Sequence, residues 1–515
     1  MPIHPAASSS NVPALASATP VAVIGAGTMG SGIALVAARA GHPVLLHDAA
    51  PEAIRRGLDS VARLLDGQVK RGRLTAAERD AQLSRISPAS DLDAIAPAGL
   101  VVEAIVEDLD VKAGLFGRIA ALVGAETILA TNTSSLSVTA LAARLPHPGR
   151  VVGMHFFNPA PALPLVEVVS GALTRPEIAA AVAATARAWG KVAVHCRSTP
   201  GFIVNRVARP FYGEALRLLG EGAADAATLD AVLRETGGFR MGAFELMDLI
   251  GHDVNFAVTR SVYDAFFQDP RYRPSLVQKE LVDAGLLGRK SGRGFFDYAK
   301  GTEKPAPAEA PPGPRPARIA VAGDLGPASV LADLARGAGI AVDTGPGPGV
   351  IRLEAGIVAL TDGRMAAEWA AAEGMPAALF DLALDYAAAP RMAVAGSDPA
   401  VRVAAAGLFQ ALGKAVSVLD DPPGLAVMRT VAMLANEAAD AVQQRIASAA
   451  DIDVSMVKGV NYPRGPLAWA DDIGLHRLAT VIANLGRFYG EDRYRVAPLL
   501  RRMALAGRRF HGEGA

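Results

Sequence analysis

Residues 20–30 read PVAVIGAGTMG, a short apolar run that leads into Gly25-x-Gly27-x-x-Gly30, and the chain continues as SGIALVAARAG. A strand that turns through three glycines into a helix is the start of a dinucleotide-binding βαβ unit. Gly25 makes the tight turn, Gly27 lets backbone approach a pyrophosphate, and Gly30 lets helix and strand pack closely. The amides at the helix start, at Thr28 and Met29, then face the phosphate charge. A second strand, HPVLLHD, ends in Asp48, 18 residues past Gly30. That is where a carboxylate bonds the adenosine ribose hydroxyls, and its charge repels a 2′-phosphate, so NAD is expected over NADP. The alternative is an ordinary βαβ turn; the strand, helix and Asp48 around the glycines argue against it.

Further strands are expected at LVVEAIV (100–106), TILATNTSS (127–135), VVGMHFF (151–157) and KVAVHC (191–196), with a helical stretch at 51–83. The alternation implies a doubly wound, mostly parallel α/β sheet over 20–197. From TPGFIVNR (199–206) the pattern becomes helical, and the helical domain runs over 198–298 to GRKSGRGFFDY. The Pro- and Ala-rich stretch 299–317 reads as a linker. Lys+Arg and Asp+Glu balance at 51 each, so charge points neither to nucleic acid nor to an acidic membrane surface. No apolar run is long enough to span a bilayer. The single cysteine, Cys196, excludes an intrachain disulfide and a cysteine-rich metal site. Residues 1–19 lack Lys and Arg and read as a disordered tail, not a signal or transit peptide. A cytoplasmic protein is expected.

The stretch 151–168, VVGMHFFNPAPALPLVEV, carries the chemistry. One apolar strand delivers His155 and Asn158, and Glu167 follows His155 by twelve residues. A histidine able to exchange a proton near neutral pH, oriented by a carboxylate, suits oxidation of an alcohol. Five further histidines (His42, His47, His147, His195, His252) and Cys196 read as structural or solvated. No metal-ligand cluster is visible, and no metal is expected.

The second half repeats the first. At a constant shift of 223, Pro176 matches Pro399, Lys191 matches Lys414, and Pro200–Gly201 match Pro423–Gly424. Arg206 matches Arg429, Glu214 matches Glu437, Gly242 matches Gly465, and Asp248 and Gly251 match Asp471 and Gly474. A gapless shift of this kind marks a duplication. A shortened α/β unit at 318–421 precedes a second helical copy at 422–505 and a tail at 506–515. In that unit RIAVAGDLGPA aligns Gly323 with Gly25 but Leu325 with Gly27 and Ala328 with Gly30. No histidine lies between 300 and 475, and Met428 stands where the first copy has Asn205. The second copy is expected to bind no nucleotide and to be structural.

GAGTMGSGIA, VVEAIVEDLDVK, TNTSSLSV, GMHFFNPAPALPLVEVV, TPGFIVNR and GRKSGRGFFDY occur in the order of the motifs of the L-3-hydroxyacyl-CoA dehydrogenase family, which residues 20–298 resemble. The resemblance implies NAD-dependent oxidation of an (S)-3-hydroxyacyl-CoA thioester. It makes His155 the catalytic base, paired with Glu167, and puts Ser134 at the substrate hydroxyl beside the nicotinamide. Asn158 and Asn205 would line the substrate and nicotinamide site, and Asn132, Glu107, Lys112 and Lys290 would serve the cofactor. Lys70, with Arg71 and Arg73, reads either as a solvated helix face or as a contact to coenzyme A phosphates. The duplicated layout resembles the longer bacterial members, which implies 3-hydroxyadipyl-CoA from phenylacetate breakdown, with 3-hydroxybutyryl-CoA as the alternative. A free hydroxy-acid dehydrogenase and a non-catalytic NAD-binding protein are further alternatives. Relatives with one helical domain dimerise through it, so the two helical copies are expected to form an internal pseudo-dimer, with further homo-oligomers left open.

Overall fold

The computed structural model describes residues 12–512, and these fall into two compact units. The first holds the chain up to Arg206 together with Gln444–Val460; the second holds Val207–Gln443 and the chain from Asn461. Among the described residues no helix is long and apolar enough to cross a membrane.

The first unit is built on eight strands: β1 (Val21–Ile24), β2 (Val44–His47), β3 (Ile86–Ala89), β4 (Leu100–Glu103), β5 (Ile128–Thr131), β6 (Val151–Phe156), β7 (Leu165–Ser170) and β8 (Val192–Arg197). Their order is β3-β2-β1-β4-β5-β6-β7-β8, and every neighbouring pair is parallel except β6–β7. Strands β1, β4 and β5 are buried along their whole length, as in a sheet covered on both faces, and their Val/Ile/Leu/Ala runs are broken only by Glu103 and Thr131 at the strand ends. The antiparallel step places His155 of β6 directly opposite Glu167 of β7. Cross-strand partners of this kind have Cβ atoms about 5 Å apart, so the register itself brings the two side chains together. β3 was not marked by any apolar alternation: it reads ISPA and contains a proline.

The stretch 51–83 is two helices, Pro51–Lys70 and Ala76–Leu83. Gly72, at φ 67°, ends the first, and Thr75 and Glu78 cap the second reciprocally. The expected tail 1–19 lies partly outside the described residues. Within 12–19 the chain is held: Leu15 N–H donates to Thr185 Oγ1 at 2.9 Å, and Leu15 packs on the core.

The second unit contains β9 (Arg318–Ala322), β10 (Ala341–Gly345), β11 (Val350–Leu353), β12 (Gly356–Leu360), β13 (Ala377–Phe380), β14 (Arg391–Gly396) and β15 (Ala415–Val418), in the order β10-β9-β11-β12-β13-β14-β15. This sheet is mixed: β11 runs antiparallel to both β9 and β12, and β13 antiparallel to β14. The short link Glu354–Ala355 between β11 and β12 leaves no room for the crossover helix that a parallel pair needs.

The linker 299–317 is tied down. Ala308 N–H donates to Thr228 Oγ1, Ala310 N–H to Val416 O, and Gly313 N–H to Gln410 Oε1, all within 2.7–2.8 Å. Nor is 506–512 a loose tail. Phe510 is buried, and the amides of Phe510 and His511 both donate to the Asp471 carboxylate at 2.8 Å. The first copy has the same clasp, where Asp248 accepts from the amides of Phe295 and Phe296. His252 completes it, with Nε2 2.7 Å from Asp248 Oδ1, which fixes that buried histidine as structural.

Candidate active site

β6 ends at Phe156, so His155 stands near the carboxyl edge of the sheet, where open α/β folds bind their ligands. Its Nδ1 lies 2.7 Å from Glu167 Oε2, and both side chains are buried. Glu167 Oε1 accepts the amides of Ile203 and Val204 at 3.1 and 2.9 Å. A carboxylate only accepts, so Nδ1 carries the proton and the tautomer is fixed. Nε2 then keeps its lone pair, and it makes no hydrogen bond to the described residues. Phe157 and Phe202 pack on the imidazole at centroid distances of 4.6 and 5.7 Å. Phe202 sits in the left-handed region at φ 47°, a conformation costly for a bulky residue. That turn aims the next two amides at Glu167.

Asn132 holds the neighbouring strand end, its Oδ1 accepting the Phe156 amide at 2.8 Å. Glu107 gathers the loop after β5: its Oε1 accepts Thr133 Oγ1 at 2.6 Å, Ser134 N–H at 2.9 Å and Ser135 N–H at 3.0 Å. Burial alone would raise the Glu107 pKa, but the Thr133 hydroxyl and the Lys112 charge bring it below the usual range. Ser134 is thus fixed through its backbone, while its hydroxyl lies at 3.4 Å from the same oxygen. Lys112 is buried, 2.5 Å from Glu103 and 3.4 Å from Glu107. Glu103, which sequence reasoning missed, also accepts Thr131 Oγ1 at 2.7 Å and the Ile105 amide. Its one signal was an acid inside the otherwise apolar strand LVVE. Asn158 is exposed and Asn205 half-buried, both in this unit. Lys70 is exposed at the far end of helix Pro51–Lys70. Lys290 belongs to the second unit, where it pairs with Asp253 at 2.5 Å.

The glycine loop fits a dinucleotide. A Cβ on Gly30 would stand 1.7 Å from Gly25 O, and one on Gly25 would stand 2.5 Å from Ala104 O, so both close approaches require glycine. A Cβ on Gly27 would meet nothing, which leaves that side open for a ligand. No side chain caps helix Thr28–Arg39 and no acid occupies its first turn, so its amides remain for an anion. Asp48 accepts the amides of Ala26 and Ala50 at 2.8 and 2.9 Å, which fixes its carboxylate at the end of β2.

The second copy has neither feature. The turn at Gly323 is as tight as that at Gly25, with a Cβ there 2.0 Å from Gly347 O, but buried Leu325 stands at the position of Gly27 and Ala328 at that of Gly30. Counted through the strand registers, Asp381 occupies the place of His155, opposite Ala393. Its buried carboxylate accepts the amides of Ala426, Val427 and Met428, the work Glu167 does in the first copy. Burial raises its pKa to about 6 against those bonds. Leu425, at φ 52°, repeats the turn of Phe202. One acid stands where the first copy has the histidine–acid pair, and it accepts the amides equivalent to those held by Glu167. Cys196 is buried, which raises its thiol pKa well above the usual value and makes it inert.

Comparison with known proteins agrees with this geometry. Residues 20–199 match the 3-hydroxyacyl-CoA dehydrogenase NAD binding domain, and residues 201–298 and 424–514 each match the C-terminal domain of that family. Residues 358–423 match the 3-hydroxybutyryl-CoA dehydrogenase reduced Rossmann-fold domain. The chain is 45% identical to 3-hydroxyadipyl-CoA dehydrogenase of Escherichia coli K12, over 94% of this chain and 97% of that one. A crystal structure of a 3-hydroxybutyryl-CoA dehydrogenase from E. coli K12 superposes with TM-score 0.87 at 44% identity, covering 95% and 98% of the two chains. A single-copy (S)-3-hydroxybutyryl-CoA dehydrogenase from Ralstonia eutropha, 39% identical, covers 55% of this chain and 100% of its own, with TM-score 0.54. The chain belongs to the 3-hydroxyacyl-CoA dehydrogenase family of NAD-dependent oxidoreductases.

Proposed function

We propose that this enzyme oxidises (S)-3-hydroxyadipyl-CoA to its 3-oxo thioester with NAD⁺ as acceptor. The reaction class is carried by the His155–Glu167 pair, which lies near the carboxyl end of β6, the edge of the sheet from which the glycine loop after β1 also leaves. The choice of thioester rests on a relative, 45% identical, that matches both copies over 97% of its length. 3-Hydroxybutyryl-CoA is the second reading, favoured by the name of the superposable structure.

Bound NAD supplies the group that accepts a hydride. The amides at Gly27, Thr28 and Met29 would hold the pyrophosphate, Asp48 the ribose, and Asn132, Ser134 and Asn158 the nicotinamide side. Glu107 and Lys112 fix the loop that carries Ser134, and Lys70 would make an outer contact to coenzyme A. As C3 is oxidised, His155 Nε2 takes the proton of the 3-hydroxyl, and Glu167 stabilises the imidazolium that results. Ser134 and Asn205 keep the hydroxyl in line with Nε2, and the apolar wall of Phe157 and Phe202 excludes water. In the reverse direction His155 returns the proton to the forming alkoxide. The chemistry takes place in the cytoplasm.

The two helical domains, 198–298 and 422–505, form an internal pseudo-dimer. Support comes from contacts that repeat with the partners exchanged, the signature of a two-fold relation. Arg197 N–H donates to Ile446 O and Asp420 N–H donates to Ala223 O, each at 2.9 Å, and both ends are related by the 223-residue shift. Glu214 accepts from Arg493 and Tyr494 Oη at 2.8 and 2.9 Å, while Glu437, its equivalent, accepts from Arg271 and Tyr272 Oη at 3.3 and 2.6 Å. Burial alone would raise the Glu214 pKa, yet Arg493 and Arg429 hold it at about 2, so this buried carboxylate stays charged.

Formation of NADH from the adipyl and butyryl thioesters, side by side, tests the substrate reading. The expected result is a kcat/KM at least ~10-fold higher for the adipyl thioester, the size of one well-made polar contact. Preference for butyryl would transfer the assignment to the second reading, and activity on free 3-hydroxy acids alone would overturn both.

A further inference from the structure

The second helical copy sends one segment away from its own unit. Gln444–Val460 joins the first unit, where helix Ala449–Val460 packs along β7 and β8. Ile452, Ser455, Met456 and Gly459 are buried, and their i, i+3, i+4, i+7 spacing puts them on one helix face. Three contacts tie this segment to residues 197–206, the stretch whose amides hold Glu167. Arg197 N–H donates to Ile446 O at 2.9 Å, and Arg206 donates to Gln444 Oε1 at 2.8 Å. The third is a close packing contact at Gly459. A Cβ there would stand 2.6 Å from Leu165 Cδ2 and 3.2 Å from Val204 Cγ2. Leu165 opens β7 two residues before Glu167, and Val204 donates the 2.9 Å amide bond to Glu167 Oε1.

We propose that Gly459, in the copy that carries no catalytic pair, is a positioning residue for His155 and Glu167 in the other copy. Its missing side chain lets the helix seat against Leu165 and Val204, and that seat fixes both anchors of the Glu167 carboxylate: the strand beneath it and an amide in front of it. A bulkier residue would push Val204 and Leu165, move Glu167 off His155 Nδ1, and disturb the tautomer that leaves Nε2 free. The duplicated half would then be retained because it completes the catalytic unit of the first half.

The inference rests on the reading of His155 and Glu167 as the proton-transfer pair, and the experiment separates the two. Full-length wild type, Gly459→Ala, Gly459→Val, Gly459→Val/Val204→Ala and Gln444→Ala are compared for kcat, for KM of NAD⁺ and of a 3-hydroxyacyl-CoA, and for thermal midpoint. Alanine asks only the end of Leu165 to give, so Gly459→Ala should keep kcat within about twofold. Gly459→Val should lower kcat on the order of tenfold, the effect of a sub-ångström misplacement, with KM for NAD⁺ within about twofold. Shedding Cγ2 in the Val204→Ala double variant should recover most of that loss. A merely structural role would lower the thermal midpoint and leave kcat per folded enzyme unchanged, and that result in soluble Gly459→Val would overturn the proposal. If Gly459→Val does not fold, Gln444→Ala decides: a kcat reduced about two- to threefold supports it, and an unchanged kcat overturns it. Activity that survives loss of His155 would instead remove the reading beneath.

Discussion

His155→Ala is expected to lower kcat by roughly 10²–10⁴-fold, the usual contribution of a positioned general base. KM for NAD⁺ should change little, because the glycine loop and Asp48 are held by β1, β2 and helix Thr28–Arg39 and owe nothing to the imidazole. Stability should survive. His155 donates a single hydrogen bond, to Glu167, and that carboxylate keeps its two amide partners in the variant. Steady-state kinetics with a 3-hydroxyacyl-CoA, alongside a thermal melt, checks both halves of the statement. Near-wild-type turnover would remove His155 from its role.

Glu167→Gln should be nearly as damaging, and for a different reason. The two amides of Ile203 and Val204 demand an acceptor, so the glutamine would turn its carbonyl oxygen toward them and its NH₂ toward His155 Nδ1. Nδ1 would then have to accept, which moves the ring proton to Nε2 and leaves no lone pair for the substrate. A tautomer error of this kind costs on the order of 10⁴ in the serine protease triad; a loss of ~10²–10⁴ in kcat is expected here, with the fold intact. Glu167→Asp keeps the charge but shortens the reach, and should fall between wild type and glutamine. If Glu167→Gln were as active as wild type, the carboxylate would be structural only, as Asp381 is in the second copy.

The parts of this architecture that could be read from the sequence are those set by local rules. The three glycines declared themselves because their neighbours left no alternative at that turn: a Cβ on Gly30 would meet the Gly25 carbonyl at 1.7 Å. His155 and Glu167 were legible as two acid–base groups on adjacent apolar runs. Their direct opposition came from an antiparallel register that no spacing rule fixed. The duplication was legible because its shift is constant, and the exchanged Arg197–Ile446 and Asp420–Ala223 bonds follow that shift at both ends. What stayed hidden depends on contacts between distant segments. Nothing local in DIDVSMVKGV says that it packs on β7 and β8, more than 250 residues away along the chain. Nor does the run PAALFDLALD show that Asp381 inherits the amides that Glu167 holds in the first copy. The acid in LVVE and Lys112 were both visible in the sequence, but not their buried pairing, which holds Glu107 and through it the Ser134 loop. The linker and the C-terminal stretch looked loose because proline, glycine and charge are common there. Backbone bonds to Val416 and Asp471 order them in spite of that composition.

The proposed assignment gives this duplicated chain one nucleotide site and one catalytic pair, both in its first copy. In the second copy the buried Leu325 stands at the position of Gly27, where backbone would have to approach a pyrophosphate. Calorimetric titration of the full-length protein with NAD⁺ measures this most directly. One equivalent bound per 515-residue chain is the predicted result. Two equivalents would show that the second copy binds nucleotide after all and would contradict the account.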